Sequence, residues 1–296
     1  MKKNIILITG GAGFIGSNLI SRLLKKYKYN IISLDNYSSG SKKNHIEHKR
    51  VKYIEGDTND IDIICSKFKN KISVIFHFGE FARIHQSFEY LEECFNSNIN
   101  GTEKVINFCK KNKIKIIYSA TSAALGNSGR DKNLSPYSFT KSTNLNLILN
   151  FRKWFGLSYE IVYFFNVYGQ NQVCTGRMAT VIGIFENQFK KSLPLTIVKP
   201  GTQTRRFTHV DDTINGCIYV WKKNKNSEYL LSNSKSYSVI EVAKMFSNKI
   251  KFIPRRNGER YKSTIVKKIL GRKVNIYKCN ITLKDYIENI KNKLKR

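Results

Sequence analysis

The stretch that most constrains the fold is a glycine-rich turn after the first apolar run. The run NIILIT is short, apolar and rich in β-branched residues, and Phe14 to Tyr27 has helical periodicity. Between them, Gly10, Gly13 and Gly16 recur at every third position. Glycines let a backbone turn tightly and approach a pyrophosphate, whose charge then lies at free N–H groups of the helix N-terminus. The stretch therefore predicts a strand, a phosphate-binding turn and a helix.

Short apolar runs separated by helical patterns continue through the first half of the chain. The further runs, in chain order, are NIISLD, VKYIEGD, SVIFHFG, IKIIYSA and YEIVYFFNV. The longest helical patterns between them are Phe88 to Asn112 and Tyr137 to Phe155. Strands that alternate with helices form right-handed βαβ units around a parallel sheet. The pattern predicts an α/β fold with a Rossmann-type, doubly wound parallel sheet.

The net charge of +31 raises the question of a nucleic-acid partner. The lysines are dispersed over both halves of the chain and form no basic stripe interleaved with aromatic residues. We therefore expect the charge to attract anionic small molecules, and we expect no nucleic-acid partner.

The cysteines and histidines indicate no metal site. The six cysteines are scattered without a Cys-x-x-Cys pair, which is typical of reduced cytosolic thiols and argues against a disulfide framework. His77 and His85 have no carboxylate partners in the sequence pattern, so a structural role is expected for both.

Nothing in the sequence indicates a membrane segment. No apolar run reaches the roughly 18 residues of a membrane span. The start, MKKNIILITGGAGFIG, begins like a signal peptide, but glycines interrupt it and no A-x-A cleavage site follows. We expect a cytoplasmic protein without a membrane partner.

Asp35 ends the second predicted strand, at the position that contacts the ribose in dinucleotide-binding folds. A carboxylate there accepts hydrogen bonds from both ribose hydroxyls of NAD and would repel a 2′-phosphate. With the glycine turn before it, Asp35 predicts NAD as the cofactor, although it could also serve only the turn DNYSSG. Asp57, after the third strand, is a candidate adenine contact or a helix N-cap.

A tyrosine and a lysine four residues apart, Tyr137 and Lys141, lie near the start of the helix after the fifth strand. The spacing places both side chains on one helix face. The lysine charge favours the phenolate form of the tyrosine, which can then act as a base near neutral pH. This pair, the G-x-x-G-x-x-G turn and the strand end IIYSATSAALGN together resemble the extended short-chain dehydrogenase/reductase superfamily, within its NAD-dependent epimerase/dehydratase family.

The resemblance spans essentially the whole chain and implies roles for the site residues. Thr121 aligns with the catalytic Ser/Thr that acts beside Tyr137 and Lys141, with Ser119 and Ser122 as substitutes. The residues implied to contact NAD are Gly10, Gly13, Phe14, Ile15, Gly16, Asp35, Asn36, Asp57, Thr58, Gly79, Tyr137 and Lys141.

Three segments of the second half resemble the sites that bind the diphosphate of a sugar nucleotide. FFNVYG contributes Asn166, PGTQTRRFTHVDD contributes Arg205, and PRRNGERY contributes Arg256. Arginine suits a pyrophosphate because its planar guanidinium donates several hydrogen bonds. Glu80 stands where the superfamily has Ala, and it is either a substrate contact or a helix-start residue.

The residues after Thr121 narrow the reaction. Dehydratases and decarboxylases of the superfamily carry an acidic residue directly after the catalytic Thr, whereas Ser122 and Ala123 follow it here. The resemblance therefore implies a 4-epimerase of the UDP-glucose 4-epimerase type, acting on a nucleotide-diphosphate sugar such as a UDP-hexose. A nucleotide-sugar reductase or dehydratase that uses NAD(P), and a non-catalytic NAD-binding scaffold, remain alternatives.

Beyond Gly169 the pattern loosens into shorter elements, with helical stretches near Ala179, Asp211, Val239 and Thr282. The chain has only four prolines and no low-complexity linker, which favours intertwined domains. We expect residues 1–165 to form the NAD-binding Rossmann domain with the Thr, Tyr and Lys, and residues 166–296 to form mainly a smaller α/β sugar-nucleotide-binding domain, with some segments in the Rossmann sheet. The resemblance also implies a homodimer formed through the two long helices.

Overall fold

The structure, a computed structural model, describes residues 3–258, 268–269 and 272–294. The strands of these residues, in chain order, are β1 (Ile5–Thr9), β2 (Asn30–Asp35), β3 (Val51–Glu55), β4 (Ile72–His77), β5 (Lys115–Thr121), β6 (Tyr159–Phe164), β7 (Val167–Tyr168), β8 (Leu195–Val198), β9 (Thr204–Arg206), β10 (Thr208–His209), β11 (Glu228–Ser232), β12 (Ser236–Ser238), β13 (Ile250–Ile253), β14 (Lys268–Ile269), β15 (Arg272–Lys273) and β16 (Asn275–Lys278).

Helices connect most of these strands. Those of the described residues are α1 (Phe14–Lys26), α2 (Ile61–Ile64), α3 (Gln86–Glu89), α4 (Leu91–Phe95), α5 (Thr102–Lys111), α6 (Pro136–Phe155), α7 (Val181–Lys190), α8 (Val210–Lys223), α9 (Val239–Phe246) and α10 (Leu283–Leu294). In this part of the chain, every helix is too short or too polar to cross a bilayer.

Eight strands form one large sheet in the order β16-β11-β6-β5-β4-β1-β2-β3. Each neighbouring pair in it is parallel, which confirms the predicted α/β fold with a doubly wound parallel sheet. The strand order reverses between β1 and β4, whose last residues, Thr9 and His77, are register partners. In open sheets of this kind, a ligand binds outside the carboxyl ends of the strands at such a reversal.

The interior strands are buried on both faces, which explains their unbroken apolar runs. In β1, Ile5 and Leu7 belong to one apolar core, whereas Ile6 and Ile8 belong to a second core. Successive side chains of a strand point to opposite faces, so one run of five buried residues supplies both cores.

A third apolar core lies outside the large sheet and is formed by α7, α9, α10 and β8. There β8 pairs in parallel with β13, while β7 pairs with β10 and β9 pairs with β12. The second half of the chain also sends β11 and β16 back into the large sheet. Residues after 166 therefore contribute to both parts of the fold.

The helical region predicted for Phe88 to Asn112 is interrupted in the structure. The short helices α3 and α4 are followed by a π-helical segment, Asn96–Gly101, that leads into α5. This segment contains Asn98, whose Oδ1 accepts a hydrogen bond from Phe81 N at 2.7 Å and whose Nδ2 donates to Phe81 O at 3.1 Å. The buried amide thereby anchors the loop after β4, a long-range contact that apolar periodicity does not reveal.

Candidate active site

A cleft of about 470 Å³ opens at the carboxyl ends of the parallel strands, where the large sheet faces the third core. It is lined by the predicted residues Gly10, Gly13, Phe14, Ile15, Gly16, Asp35, Asn36, Thr58, Gly79, Glu80, Thr121, Tyr137, Lys141, Asn166, Arg205 and Arg256. Asp57 is the one predicted site residue that does not line it. The fold thus brings residues from both halves of the chain into one cleft.

The glycine turn between β1 and α1 has room for backbone only. Gly10 has a φ of +71°, and a Cβ there would lie 2.8 Å from Gly79 N. A Cβ on Gly16 would lie 2.2 Å from the Gly10 carbonyl oxygen. Helix α1 begins directly after Gly13, which offers no side-chain cap. A helix N-terminus of this kind is suited to a phosphate.

Asp35 connects the end of β2 to the glycine turn. Its Oδ2 accepts a hydrogen bond from Ala12 N and its Oδ1 accepts one from Tyr37 N, each at 2.9 Å. Burial raises the pKa of the Asp35 carboxyl, and these backbone donors oppose the rise. The carboxylate lines the cleft, a position compatible with the predicted ribose contact.

Asp57 caps a short 3-10 turn, Thr58–Asp60. Its Oδ1 accepts a hydrogen bond from Asn59 N at 2.9 Å, and its Oδ2 accepts one from Asn36 Nδ2 at 2.8 Å. The N-cap role considered from the sequence is therefore present, and the adenine contact stays a prediction.

Helix α6 begins where Ser135 is followed by Pro136. Ser135 Oγ accepts a hydrogen bond from Ser138 N at 3.1 Å, and a proline at the first helical position has no N–H to satisfy. This start places Tyr137 in the first turn and Lys141 one turn later on the same face. Both side chains are buried and line the cleft.

Thr121 ends β5 and lines the same cleft. Its Oγ1 accepts a hydrogen bond from Ala123 N at 3.1 Å and donates to no described residue, so the hydroxyl can donate its proton to a ligand. Ser119 uses its hydroxyl inside the sheet, where it donates to the His77 carbonyl oxygen at 2.9 Å. This geometry favours Thr121 over Ser119, while Ser122 also lines the cleft.

Lys141 forms a buried ion pair that the sequence did not predict. Its Nζ donates to Glu80 Oε2 and, at 2.6 Å, to the Ser119 carbonyl oxygen. The side chains of Lys141 and Glu80 are 4% and 1% exposed. The next helix starts only at Gln86, so the interpretation of Glu80 as a helix-start residue is wrong. Glu80 lines the cleft, but its carboxylate is engaged by the protein.

The second carboxylate oxygen of Glu80 accepts three hydrogen bonds. The donors are Thr102 Oγ1 at 3.1 Å, Tyr118 OH at 3.0 Å and Asn144 Nδ2 at 3.1 Å. All three lie on different elements around the loop after β4. A buried carboxylate with this many hydrogen-bond partners is held in one position.

His77 extends the network toward the glycine turn. Its Nε2 lies 2.9 Å from Thr102 Oγ1, and its Nδ1 lies 2.7 Å from Thr9 Oγ1. Because Thr102 donates to Glu80, we assign the proton of His77 to Nε2. Burial lowers the pKa of His77 to about 4, which makes the ring neutral at pH 7. Its contacts indicate a structural role.

Asn166, Arg205 and Arg256 line the part of the cleft contributed by the second half of the chain. Asn166 has a φ of +28° between β6 and β7, and its Nδ2 donates to the Arg206 carbonyl oxygen at 3.0 Å. Arg205 is buried, and its Nη1 donates to the Thr204 carbonyl oxygen at 2.9 Å. The amide and the two guanidinium groups can supply donors to a diphosphate.

Arg83 and Gln203 line the cleft but were not predicted from the sequence. Arg83 Nε donates to the Met178 carbonyl oxygen at 3.0 Å, and burial lowers its pKa while Tyr137 opposes the change. Gln203 is 2% exposed, and its Oε1 has no hydrogen-bond partner within the described residues. Gln203 could have been found from its place beside Arg205, whereas nothing in the sequence distinguishes Arg83 from the many other basic residues.

Potential metal ligands do not cluster in the described part of the chain. No three His, Cys, Asp or Glu side chains there are placed to hold a metal ion. The six cysteines are free thiols, and burial raises the pKa of those such as Cys109 and Cys217. Burial of this kind disfavours the thiolate that would bind metal.

Comparison with known protein families identifies the family of this chain. The model of the NAD-dependent epimerase/dehydratase family matches residues 6–232. The chain belongs to this family. A protein of Methanocaldococcus jannaschii named "putative UDP-glucose 4-epimerase" is 29% identical and is matched over 98% of each chain. UDP-glucuronic acid decarboxylase 3 of Arabidopsis thaliana is 28% identical over 80% of this chain and 72% of its own.

Solved structures show the same architecture. UDP-glucose 4-epimerase of Thermotoga maritima superimposes with a TM-score of 0.86 at 24% identity, over 98% of this chain and 99% of that one. The relatives catalyse different reactions, so the family defines a nucleotide-sugar enzyme and does not by itself define the reaction.

NAD is the cofactor of this family, and the cleft fits it. The glycine turn provides a backbone cradle that a Cβ at Gly10 or Gly16 would fill. The N-terminus of α1 suits the pyrophosphate, and the carboxylate of Asp35 at the end of β2 suits the ribose hydroxyls. These residues would hold the dinucleotide.

Proposed function

We propose that the chain is an NAD-dependent nucleotide-sugar 4-epimerase that acts on a UDP-hexose. The observation that carries this proposal is the distribution of acidic side chains in the cleft. Among its described lining residues, only Asp35 and Glu80 are acidic. Asp35 is bound by backbone N–H groups at the glycine turn, and Glu80 is paired with Lys141. Neither is placed to protonate a departing hydroxyl, as a dehydratase requires.

The remaining groups suffice for epimerisation. Bound NAD supplies the acceptor and donor of the hydride at sugar C4. Tyr137, as phenolate, takes the proton of the 4-hydroxyl and later returns it. Thr121 donates its free hydroxyl proton to the same sugar oxygen, and Lys141 stabilises the phenolate from one turn along α6.

The 4-keto sugar must then turn over so that its other face is reduced. That requires tight binding of the diphosphate and loose binding of the hexose. Arg205, Arg256 and Asn166 support the first requirement because they present cationic and amide donors in one part of the cleft.

The proposed homodimer is supported by exposed apolar side chains on α3, α4 and α6. Phe88, Leu91, Phe95 and Phe139 are all exposed in the single chain. Phe95 and Phe139 stack across the two helices, with ring centroids 6.1 Å apart. Exposed apolar and aromatic side chains on adjoining helices are typical of a buried interface.

The proposal is tested by proton NMR of the purified protein with UDP-glucose, UDP-galactose and their N-acetyl counterparts, without added NAD. We expect a second anomeric signal that grows to the same equilibrium from either epimer. Tyr137→Phe should slow this reaction by roughly 10²- to 10⁴-fold because it removes the proton acceptor.

Tyr219→Phe is the matched control, since Tyr219 is exposed on α8 away from the cleft. Unchanged spectra with all four sugars would contradict the UDP-hexose assignment. Consumption of added NADH without a new epimer would indicate a reductase instead.

A further inference from the structure

The buried ion pair between Glu80 and Lys141 has a consequence for the proposed catalysis. Lys141 is the charge that would stabilise the Tyr137 phenolate. Its ammonium has three N–H donors, of which one is directed to Glu80 and one to the Ser119 carbonyl oxygen. The ammonium also lies 4.9 Å from the centroid of the Tyr118 ring, so it is fixed by contacts on several sides.

The titratable groups that face the Glu80–Lys141 pair from β4, β5 and α4 are uncharged. From β4 and β5, His77 and Tyr118 face Glu80, and both are neutral because burial lowers the pKa of His77 to about 4 and raises that of Tyr118 well above its ordinary value. From α4, burial raises the pKa of the Cys94 thiol to about 11, so it is also uncharged.

On the remaining sides, Tyr137 lies one turn before Lys141 on α6, and Arg83 from the loop after β4 interacts electrostatically with Tyr137. Arg83 forms no ion pair with any described residue, and its guanidinium donates to the carbonyl oxygens of Met178 and Ala82. Glu80 is therefore the one anion of the described residues in contact with Lys141.

A carboxylate in direct contact with an ammonium offsets part of the field of that ammonium at a third group. We propose that Glu80 is a positioning residue that fixes the Lys141 ammonium and reduces its positive potential at Tyr137, so that the phenolate forms at a higher pH than Lys141 alone would set. The inference rests on the proposed function for its catalytic meaning. The electrostatic effect itself does not require a substrate.

The test measures ionisation of Tyr137 directly. The near-ultraviolet absorbance of tyrosinate is followed against pH in the purified holoenzyme, and the same titration of Tyr137→Phe is subtracted. In Glu80→Gln the midpoint of this difference should fall by about one pH unit, because removal of an adjacent opposite charge restores the field of the lysine. Glu80→Asp, which keeps the charge, should stay near the native midpoint.

The chain offers a matched control in a second buried Lys–Glu pair. Lys115 Nζ lies 2.8 Å from Glu160 Oε1, with side chains 9% and 0% exposed. These residues lie near the amino ends of β5 and β6, opposite the cleft. Glu160→Gln should lower stability without moving the Tyr137 midpoint. A Glu80→Gln midpoint that stays within about 0.3 pH units of the native one, or that rises, would overturn the proposal.

A second measurement covers the case in which Glu80→Gln is too unstable to titrate. Thermal unfolding of the native protein, Glu80→Gln, Lys141→Met and the double variant forms a double-mutant cycle. The double variant should unfold at a higher temperature than Glu80→Gln, because it removes an unpaired buried ammonium. Simple addition of the two losses would overturn the ion-pair role.

Neither readout uses a sugar nucleotide. Absence of epimerisation by NMR would therefore refute the proposed function alone, whereas an unshifted titration would refute the role of Glu80 alone.

Discussion

Among the residues of the network around Glu80, His77 makes the stability of the fold depend on pH. His77 is fully buried, and its pKa is lowered to about 4, mainly by burial. In the unfolded chain a histidine binds a proton near pH 6.5. The unfolded state therefore binds more protons between these values, and stability must fall as the pH drops from about 6.5 to about 4.

We expect this residue to contribute a loss of up to about 3 kcal/mol in the free energy of unfolding across that window. Urea unfolding of the native protein and His77→Gln at pH 7.5 and about pH 5 measures it. At pH 7.5 the variant should be less stable than the native protein, but its free energy of unfolding should fall less on acidification. His48→Gln, at an exposed position, serves as control and should follow the native pH dependence. Equal slopes for the native protein and His77→Gln would contradict the prediction.

At the scale of elements, the strand–turn–helix unit of β1 and α1 depends on space as well as on backbone conformation. Gly10 and Gly156 have nearly the same φ, +71° and +72°. A Cβ on Gly10 would lie 2.8 Å from the backbone after β4, whereas a Cβ on Gly156 would meet nothing within 4 Å. An alanine at either position has the same conformational strain, but only an alanine at Gly10 also meets a steric clash.

Gly156→Ala should lower the free energy of unfolding by about 1 kcal/mol, the strain of a left-handed residue alone. Gly10→Ala should lower the free energy of unfolding by more than Gly156→Ala does. It should also displace β1 from β4, which widens the glycine turn. Urea unfolding gives the stabilities, and the NAD released from acid-treated protein gives the cofactor content. Full retention of NAD by Gly10→Ala would show that the turn does not bind the cofactor.

At the scale of the whole molecule, the proposed homodimer depends on the exposed apolar side chains of α3, α4 and α6. Phe139 is 44% exposed and stacks on Phe95, so a charge there would lie in the proposed interface. We expect Phe139→Glu to convert a dimer into a monomer in sedimentation velocity, since burial of a charge without a partner is unfavourable. Ile63→Glu, at a 77% exposed site on α2, should remain dimeric. A native protein that is monomeric at all concentrations would contradict the proposal.

Much of the fold could be predicted from local patterns. The runs of β1, β2, β4, β5 and β6 are apolar and β-branched because both of their faces are buried. The strand β16 escaped prediction, since its residues NIYK alternate in exposure and carry no strong apolar signal. It forms because β11 offers it a free parallel edge, which is a property of the assembled sheet.

The sequence by itself determined the glycine turn, the parallel sheet and the shared helix face of Tyr137 and Lys141. Each follows from residue spacing or from the alternation of strand and helix patterns along the chain. Only the tertiary structure decided which groups surround that pair. Glu80 and Lys141 are 61 residues apart and meet because the ends of β4 and β5 are neighbours beneath α6. Neither the strand order that brings them together nor their burial can be read from local periodicity.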